Sequence, residues 1–242
     1  MLALAAQKFA PASYQTVFVN SEFTSIEESN AAIAIACKYN LNFKQIDLDL
    51  LKIEKIADNT NQRCYHCKQQ IFEAIMKIKK TDQKQIICEG SVTDDETDYR
   101  PGKKALKELQ IVSPLLLCGF SKDMVTEVIC SWGAKELVRP AQSCMATRIE
   151  SGSRITPEKL QQIENGEKIL RENGLDYCRL RHHGNIARIE VCQKDLHKAL
   201  DVMAMITPAL KNLGFRHICL DSSGYQKGSM NLLPSTPDNC KQ

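Results

Sequence analysis

The chain has 242 residues, of which 43% are hydrophobic and 25% charged, as in an ordinary globular protein with one large or two modest domains. Its 32 basic and 29 acidic residues give a net charge of +3, a weak field that does not demand a nucleic-acid partner. No apolar run approaches the roughly 20 residues of a membrane-spanning helix, and residues 1–10 are too short and weakly flanked for a signal peptide. We therefore expect a cytoplasmic protein without a membrane partner.

The first half of the chain alternates strand and helix patterns. Strands are predicted at residues 16–19, 45–50 and 85–88. Helices are predicted at residues 25–38, from about Cys67 onward, and from Ser121 to a stop at Gly133. This alternation predicts an α/β domain over residues 1–139, with a parallel sheet covered by helices on both faces.

A second unit begins near Pro140. Thr156 and Pro157 are typical of the start of a helix, which we expect to run to Gly174. Its buried stripe is predicted to consist of Leu160, Ile163, Glu167 and Leu170. A carboxylate is out of place in an apolar stripe, so Glu167 is either paired structurally or functional, and the sequence leaves both open.

A β-hairpin with a Gly-Asn turn is predicted over residues 177–192. The turn would place Arg181 opposite Arg188 and Arg179 opposite Glu190, with all four side chains on one face. Opposed arginines repel unless an anion lies between them. The face is therefore either a surface that binds phosphate or carboxylate, or a solvated face on which Glu190 pairs with the arginines. Together with Glu167, the arrangement favours the binding surface.

Two more elements follow the hairpin. A helix is predicted over residues 194–213, bent or split at Pro208, and a strand over residues 215–220. With the preceding helix and hairpin they predict a small α+β domain over residues 140–242.

The chain contains 11 cysteines, an odd number, and without an export signal we expect no disulfide framework. Five of them lie among apolar residues and are predicted to be small buried side chains: Cys37, Cys130, Cys178, Cys192 and Cys219.

Cys64 and Cys67 form a CxxC motif at the start of a predicted helix, where the helix terminus and basic neighbours favour the thiolate. The motif alone leaves open half a zinc site, a dithiol redox pair and part of an iron–sulfur site. Zinc would need His66 or Cys144 as further ligands. A redox role would place the motif directly after a strand, whereas residues 58–62 have a loop pattern.

Cys144 lies in residues 140–148, a segment with neither helix nor strand pattern. A cysteine on such a loop, followed by Arg148, is a better candidate nucleophile than one in an apolar stripe.

Several separated segments resemble the LarE family, and together they extend over essentially the whole chain. They are Glu89-Gly90, Asp94-Asp95, Asp98 to Gly102, Ser143 to Arg148, Arg179-x-Arg181, Ala187 to Glu190, Leu220-Asp221, Gly224-Tyr225 and Gly228-x-Met230-Asn231. The resemblance implies a fold of the PP-loop ATP pyrophosphatases and an ATP-dependent sulfur transferase. Such an enzyme adenylylates a carboxylate of a pyridinium biscarboxylate mononucleotide and replaces an oxygen by sulfur, for a nickel-pincer cofactor.

The resemblance also implies how the cysteines act. Members with one cysteine, at the position of Cys144, give up its own sulfur. Members that also have a CxxC resemble cluster enzymes, in which three thiolates hold a four-iron four-sulfur cluster whose free iron carries an extra sulfide. Cys64, Cys67 and Cys144 match that pattern.

Further site residues are implied by the same resemblance. The substrate phosphate or a metal ion is expected to be bound by Arg179, Arg181, Arg188, Glu190, Glu167 and Arg148. The nucleotide side, with ATP and Mg²⁺, is expected to include Asp94, Asp95, Asp98 and Arg100. We also expect a small-molecule nucleotide substrate and a homo-oligomer.

The sequence departs from the family pattern at its start, because the SGGxDS loop that holds the ATP pyrophosphate is absent from the 242 residues. Residues 1–6 resemble the end of the helix that should follow that loop. We expect a start codon assigned too late rather than a truncated form. Loss of the preceding central strand would leave its two neighbours unpaired.

Two other functions are compatible with these patterns. A PP-loop tRNA thiolase can also use a three-cysteine cluster, although the modest charge argues against it. A zinc- or cluster-stabilised remnant could serve as a binding module without catalysis.

Overall fold

The computed structural model describes residues 1–78, 85–96, 101–138, 143–226 and Met230. They form two compact units, one of Met1–Ile56 with Gln62–Ser143 and one of Ala57–Asn61 with Cys144–Gln242. Each unit combines helices with a small sheet that contains parallel strands, so the predicted α/β class is confirmed. Within the described residues, no helix is long and apolar enough to cross a membrane.

The first unit contains a two-stranded parallel sheet. Its strands are β1 (Thr16–Ser21) and β2 (Phe43–Leu48), with Thr16 opposite Phe43. The helices of this part of the chain are α1 (Leu2–Phe9), α2 (Ile26–Lys38), α3 (Glu54–Ala57), α4 (Arg63–Lys77), α5 (Gly102–Glu108), α6 (Pro114–Leu117) and α7 (Lys122–Ser131). In place of the strand predicted at residues 85–88, the described residues show a single parallel bridge between Cys88 and Val112.

Local signals explain where these helices begin. Ser25 and Glu28 form the predicted capping box, in which each side chain accepts a hydrogen bond from the other residue's backbone N–H. Helix α4 starts at Arg63, earlier than predicted, so the CxxC lies inside its first turns. Its apolar face places Phe72 in a core with Leu106 and Ile111.

The second unit contains a three-stranded sheet in the order β3-β4-β5. Its elements are α8 (Pro157–Glu172), β3 (Cys178–His183), β4 (Ile186–Val191), α9 (Leu196–Asn212) and β5 (His217–Leu220). Strands β3 and β4 form the predicted antiparallel hairpin, whereas β5 pairs with β4 in parallel, as the crossover helix α9 between them allows. Helix α9 continues through Pro208 as one element.

The prediction that five cysteines are buried was wrong for three of them. Cys178 is buried and Cys192 half-buried, but Cys37, Cys130 and Cys219 are exposed. Apolar neighbours in sequence do not decide burial, because adjacent residues point to different sides of a helix or strand. Burial raises the pKa of the Cys178 thiol to about 12, with Glu167 adding to the shift, so this thiol is inert.

Candidate active site

The CxxC thiols lie on the first turns of α4, three residues apart and therefore on one side of the helix. Cys64 is exposed and Cys67 half-buried, and neither forms a disulfide. Helix α5 packs against this turn at Gly102, where an added Cβ would lie 3.0 Å from Lys68 Cγ and 3.4 Å from the Cys64 carbonyl oxygen. The close contact with α5 therefore supports the backbone that presents the two thiols.

Cys144 precedes a single 3-10 turn, Met145–Arg148, and its side chain is exposed. The next two residues, Met145 and Ala146, are buried, so the turn is anchored in the second unit while Cys144 itself is exposed. The Cys144 carbonyl accepts hydrogen bonds from the Thr147 backbone N–H at 2.9 Å and from the Thr147 hydroxyl at 2.7 Å. The segment therefore has a defined backbone, although its sequence showed no pattern.

Glu167, the carboxylate in the apolar stripe of α8, is buried and paired. It is 4% exposed, and its Oε1 accepts hydrogen bonds from Arg148 Nε at 2.9 Å and from the backbone N–H of Leu180 at 3.2 Å. Arg148 Nη2 also donates to Oε2 at 3.3 Å. Of the two interpretations that the sequence left open, the structure shows the paired one, with a β3 backbone group as a second partner.

The hairpin has the predicted register, with Arg179 opposite Glu190 and Arg181 opposite Arg188. Its arginine face is not solvated, because Glu190 is 0% exposed and Arg181 4%. Glu190 Oε2 accepts from Arg181 Nε at 2.9 Å and Nη2 at 2.7 Å, and its Oε1 lies 3.2 Å from Arg188 Nη1. The anion between the opposed arginines is therefore a side chain of the hairpin itself.

Arg179 and Arg188 are the more accessible arginines of this face, and both are half-buried. Arg188 also pairs with Asp221. Arg179 Nη1 donates to the Cys178 carbonyl at 2.8 Å, and its buried Nε has no hydrogen-bond partner among the described residues. Burial lowers the pKa of Arg179, and the nearby positive charge of Arg148 lowers it further, so an anion beside this guanidinium would be favourable.

Tyr225 covers the same face, with its ring centroid 5.7 Å from the Arg179 guanidinium and 5.9 Å from that of Arg181. The preceding Gly224 has a φ of +67°, and an added Cβ would lie 2.9 Å from the Val191 carbonyl oxygen. Only glycine lets the chain approach the end of β4 this closely, which explains the Gly-Tyr pair.

The predicted nucleotide-side acids are used locally in the first unit. Asp94 accepts a hydrogen bond from the Lys122 backbone N–H at the start of α7, and Asp95 lies 3.5 Å from Lys122 Nζ. A cavity of about 490 Å³ opens beside Asp95. Asp98 and Arg100 lie outside the described residues, and the nucleotide-side role of all four remains a prediction.

The three candidate ligand cysteines belong to different units, Cys64 and Cys67 to the first and Cys144 to the second. In the part of the chain that the structure describes, no group of three or more His, Cys, Asp or Glu side chains is placed to hold a metal ion. The cluster and the zinc site therefore both stay predictions.

Sequence reasoning missed two residues beside the Cys144 turn. Thr147 binds the Cys144 carbonyl through its hydroxyl, and its own carbonyl accepts from Arg181 Nη1 at 3.0 Å. Asn59, 1% exposed, donates to the carbonyls of Ile149, Glu150 and Ser153 at 3.3, 2.9 and 3.1 Å. Thr147 lies in one of the segments that resemble the family but has no further signal, and Asn59 has none beyond its polarity.

Comparison with curated proteins gives relatives along most of the chain, whereas no family model matches it. An uncharacterized protein of Methanocaldococcus jannaschii is 33% identical over 213 residues, 87% of this chain and 80% of that protein. The pyridinium-3,5-bisthiocarboxylic acid mononucleotide synthase of Lactiplantibacillus plantarum is 30% identical over 215 residues, 89% of this chain and 78% of that protein. An uncharacterized protein of Synechocystis is 33% identical over 175 residues, 72% of this chain and 65% of that protein.

Proposed function

The chain belongs to the LarE family of pyridinium-3,5-bisthiocarboxylic acid mononucleotide synthases, and on this premise we propose that it is a sulfur transferase of nickel-pincer cofactor biosynthesis. Its substrate would be a pyridinium biscarboxylate mononucleotide, one carboxylate of which becomes a thiocarboxylate. ATP and Mg²⁺ would activate that carboxylate, as the resemblance to PP-loop enzymes implies.

The observation that carries this proposal is the exposed Cys144 thiol on an anchored turn of the unit that also contains the arginine face of the hairpin. A sulfur enzyme needs a thiol that a substrate can reach, and a phosphorylated substrate needs guanidinium groups. The second unit has both.

The chemistry follows from the low reactivity of a carboxylate. Adenylylation attaches AMP to one carboxylate oxygen and releases pyrophosphate, which makes that oxygen part of a leaving group. Sulfide can then attack the carbonyl carbon, AMP leaves with the oxygen, and the thiocarboxylate remains. If the Cys144 thiolate attacks instead, the product is a thioester, and its Cβ–Sγ bond must break with loss of the Cα proton before the thiocarboxylate is released.

The donor set supports a role for the other two thiols. Cys64 and Cys67 are not oxidised to a disulfide and share one side of α4, and thiolates are the ligands that iron–sulfur clusters take. A four-iron four-sulfur cluster held by Cys64, Cys67 and Cys144 would supply sulfur as bound sulfide and spare the protein thiols. Zinc at the same cysteines is the competing assignment.

Substrate binding is proposed for the two accessible arginines. Arg179 has a buried Nε without a partner among the described residues, and a phosphate oxygen would supply one. Arg188 lies on the same face and would contribute a second guanidinium. The binding roles predicted for Arg148, Arg181, Glu167 and Glu190 remain predictions, because in the structure their charged groups bind each other.

The proposal can be tested by anaerobic reconstitution of the full chain with iron and sulfide, followed by incubation with substrate, ATP and Mg²⁺. Mass spectrometry should detect the thiocarboxylate product, in several copies per protein if sulfide is the donor. Absence of product would contradict the proposed function.

The same preparation separates the alternatives. A colourless protein with stoichiometric zinc would contradict the cluster, and product limited to one copy per protein would make Cys144 the consumed donor. Tight binding to tRNA that weakens steeply with salt would favour the thiolase alternative.

A further inference from the structure

The turn that carries Cys144 is bound at both ends by buried arginines. Arg148 Nη1 donates to the Cys144 carbonyl at 3.1 Å, and Arg181 Nη1 donates to the Thr147 carbonyl at 3.0 Å. The Thr147 hydroxyl also donates to the Cys144 carbonyl. The backbone on either side of Met145 and Ala146 is therefore held by side chains, two from the turn itself and one, Arg181, from β3.

Each arginine is in turn oriented by a glutamate. Arg148 uses Nε and Nη2 on Glu167, and Arg181 uses Nε and Nη2 on Glu190. Because a guanidinium is planar, a carboxylate that binds these two nitrogens fixes the direction of the third. That third nitrogen, Nη1, is the one that meets the turn in both cases.

Burial and pairing make direct substrate binding by these four residues costly. Arg148 is 3% exposed, Glu167 and Arg181 are each 4%, and Glu190 is 0%. A ligand would have to displace a glutamate and leave a buried charge without its partner, which is strongly unfavourable. Their geometry suits support of the turn.

We propose that Thr147, Glu167 and Glu190 are positioning residues for the Cys144 thiol. Thr147 holds the Cys144 carbonyl directly, and the two glutamates act through Arg148 and Arg181 on the backbone of the turn. The inference rests on the proposed function, in which Cys144 is either the sulfur donor or a ligand of the cluster that carries the donor sulfide, and adds five residues that set the direction of its thiol. Orientation matters because a sulfur atom displaced by about 1 Å from the line of attack can lose about 100-fold in rate.

The test uses the full chain with Thr147→Val and Glu167→Gln. Thr147→Val keeps the shape of the side chain and removes only the hydroxyl. Thr147→Ser restores the hydroxyl, and Asp58→Asn is the matched control, because Asp58 pairs with Arg154 at the surface of the same unit.

The first measurement is hydrogen exchange of the backbone amides of residues 144–149. Loss of one hydrogen bond of ordinary net strength should speed exchange about five- to tenfold in Thr147→Val and in Glu167→Gln. Thr147→Ser and Asp58→Asn should match the wild type. Unchanged exchange in Thr147→Val would overturn the inference even if Glu167→Gln fails to fold.

The second measurement separates the rate of sulfur transfer from substrate binding. In Thr147→Val the single-turnover rate should fall by about tenfold or more while the substrate Kd stays within about twofold, and Thr147→Ser should recover the rate. A Kd that weakens as much as the rate would overturn the inference. If the wild type transfers no sulfur, the proposed function fails alone, since hydrogen exchange still decides whether the turn is held as inferred.

Discussion

The two thiol-bearing segments of this protein are built in different ways. The CxxC lies on α4, whose own backbone hydrogen bonds define where Cys64 and Cys67 point. Cys144 lies on a short turn whose direction depends on side chains from α8, β3 and β4. A reactive group on a regular helix is oriented mainly by that helix, even where a neighbour such as α5 supports its backbone. One on an irregular turn makes distant residues part of the site.

The largest effect should come from removal of the thiol itself. Cys144→Ala is expected to abolish sulfur transfer, because it removes the thiol that either donates the sulfur or helps to hold the proposed cluster. Cys118→Ala, which removes another exposed thiol, should keep full activity. Product formation followed by mass spectrometry checks both, and activity in Cys144→Ala would mean that the donor lies elsewhere.

Breaking the support of the turn should cost stability as well as activity. Glu190→Gln leaves Arg181 buried beside a neutral partner and should lower the free energy of unfolding of the second unit by about 3–5 kcal/mol. The corresponding change beside the CxxC is Glu108→Gln, which removes an exposed carboxylate bound by Tyr65. It should have little effect on urea denaturation; similar losses in both variants would contradict the difference between the segments.

The packing of α8 on β3 offers a third way to disturb the Cys144 side alone. An added Cβ at Gly166 would lie 2.3 Å from Leu180 Cδ1, in a fully buried contact next to Glu167. Gly166→Ala should therefore destabilise the protein by about 1–3 kcal/mol, partly offset by better helix propensity. Gly90→Ala, where nothing lies within 4 Å of the added Cβ, serves as the control in the same denaturation series.

The smallest effect concerns pH. Burial lowers the pKa of His182 below its ordinary value of 6.5, and Lys159 and His183 add to the shift. Above that value the imidazole is neutral in both states. Below it the unfolded chain binds a proton that the folded protein resists, so the free energy of unfolding should decline with falling pH by up to about 1.4 kcal/mol per pH unit.

Replacement of this histidine checks the assignment. Denaturation curves between pH 5 and 8 should lose most of that slope in His182→Gln, whereas His217→Gln, at an exposed position of β5, should keep it. An unchanged slope in His182→Gln would assign the pH dependence to other groups.

Part of the site could be predicted because its signals are local. The capping residue Thr156 with Pro157 defined the start of α8, and the Gly-Asn turn defined which residues of the hairpin face each other. The partner of the hairpin arginines could not be predicted in full, since alternation along a strand assigns a face but does not say whether that face is covered.

The exposure of the cysteines could not be predicted either, because apolar neighbours in sequence do not show which side of a helix is covered. Cys130 follows the buried Ile129 directly, yet one step along a helix turns the side chain by about 100° and leaves Cys130 in solvent. The contacts around the Cys144 turn could not be predicted, because their partners are far apart in sequence. Arg148 binds Glu167 across 19 residues, and Arg181 binds the Thr147 carbonyl across 34.

Sequence alone determined the α/β class, the α8 stripe with its unusual carboxylate, the hairpin register and the three thiols of interest. Those features depend on short-range periodicity, capping and turn chemistry, which neighbouring residues encode. Tertiary structure decided that Glu167 and Glu190 neutralise Arg148 and Arg181, and that Thr147 holds the Cys144 carbonyl. The reason is physical: burial and ion pairing depend on how elements approach in space, and residues far apart in sequence meet only after they have packed.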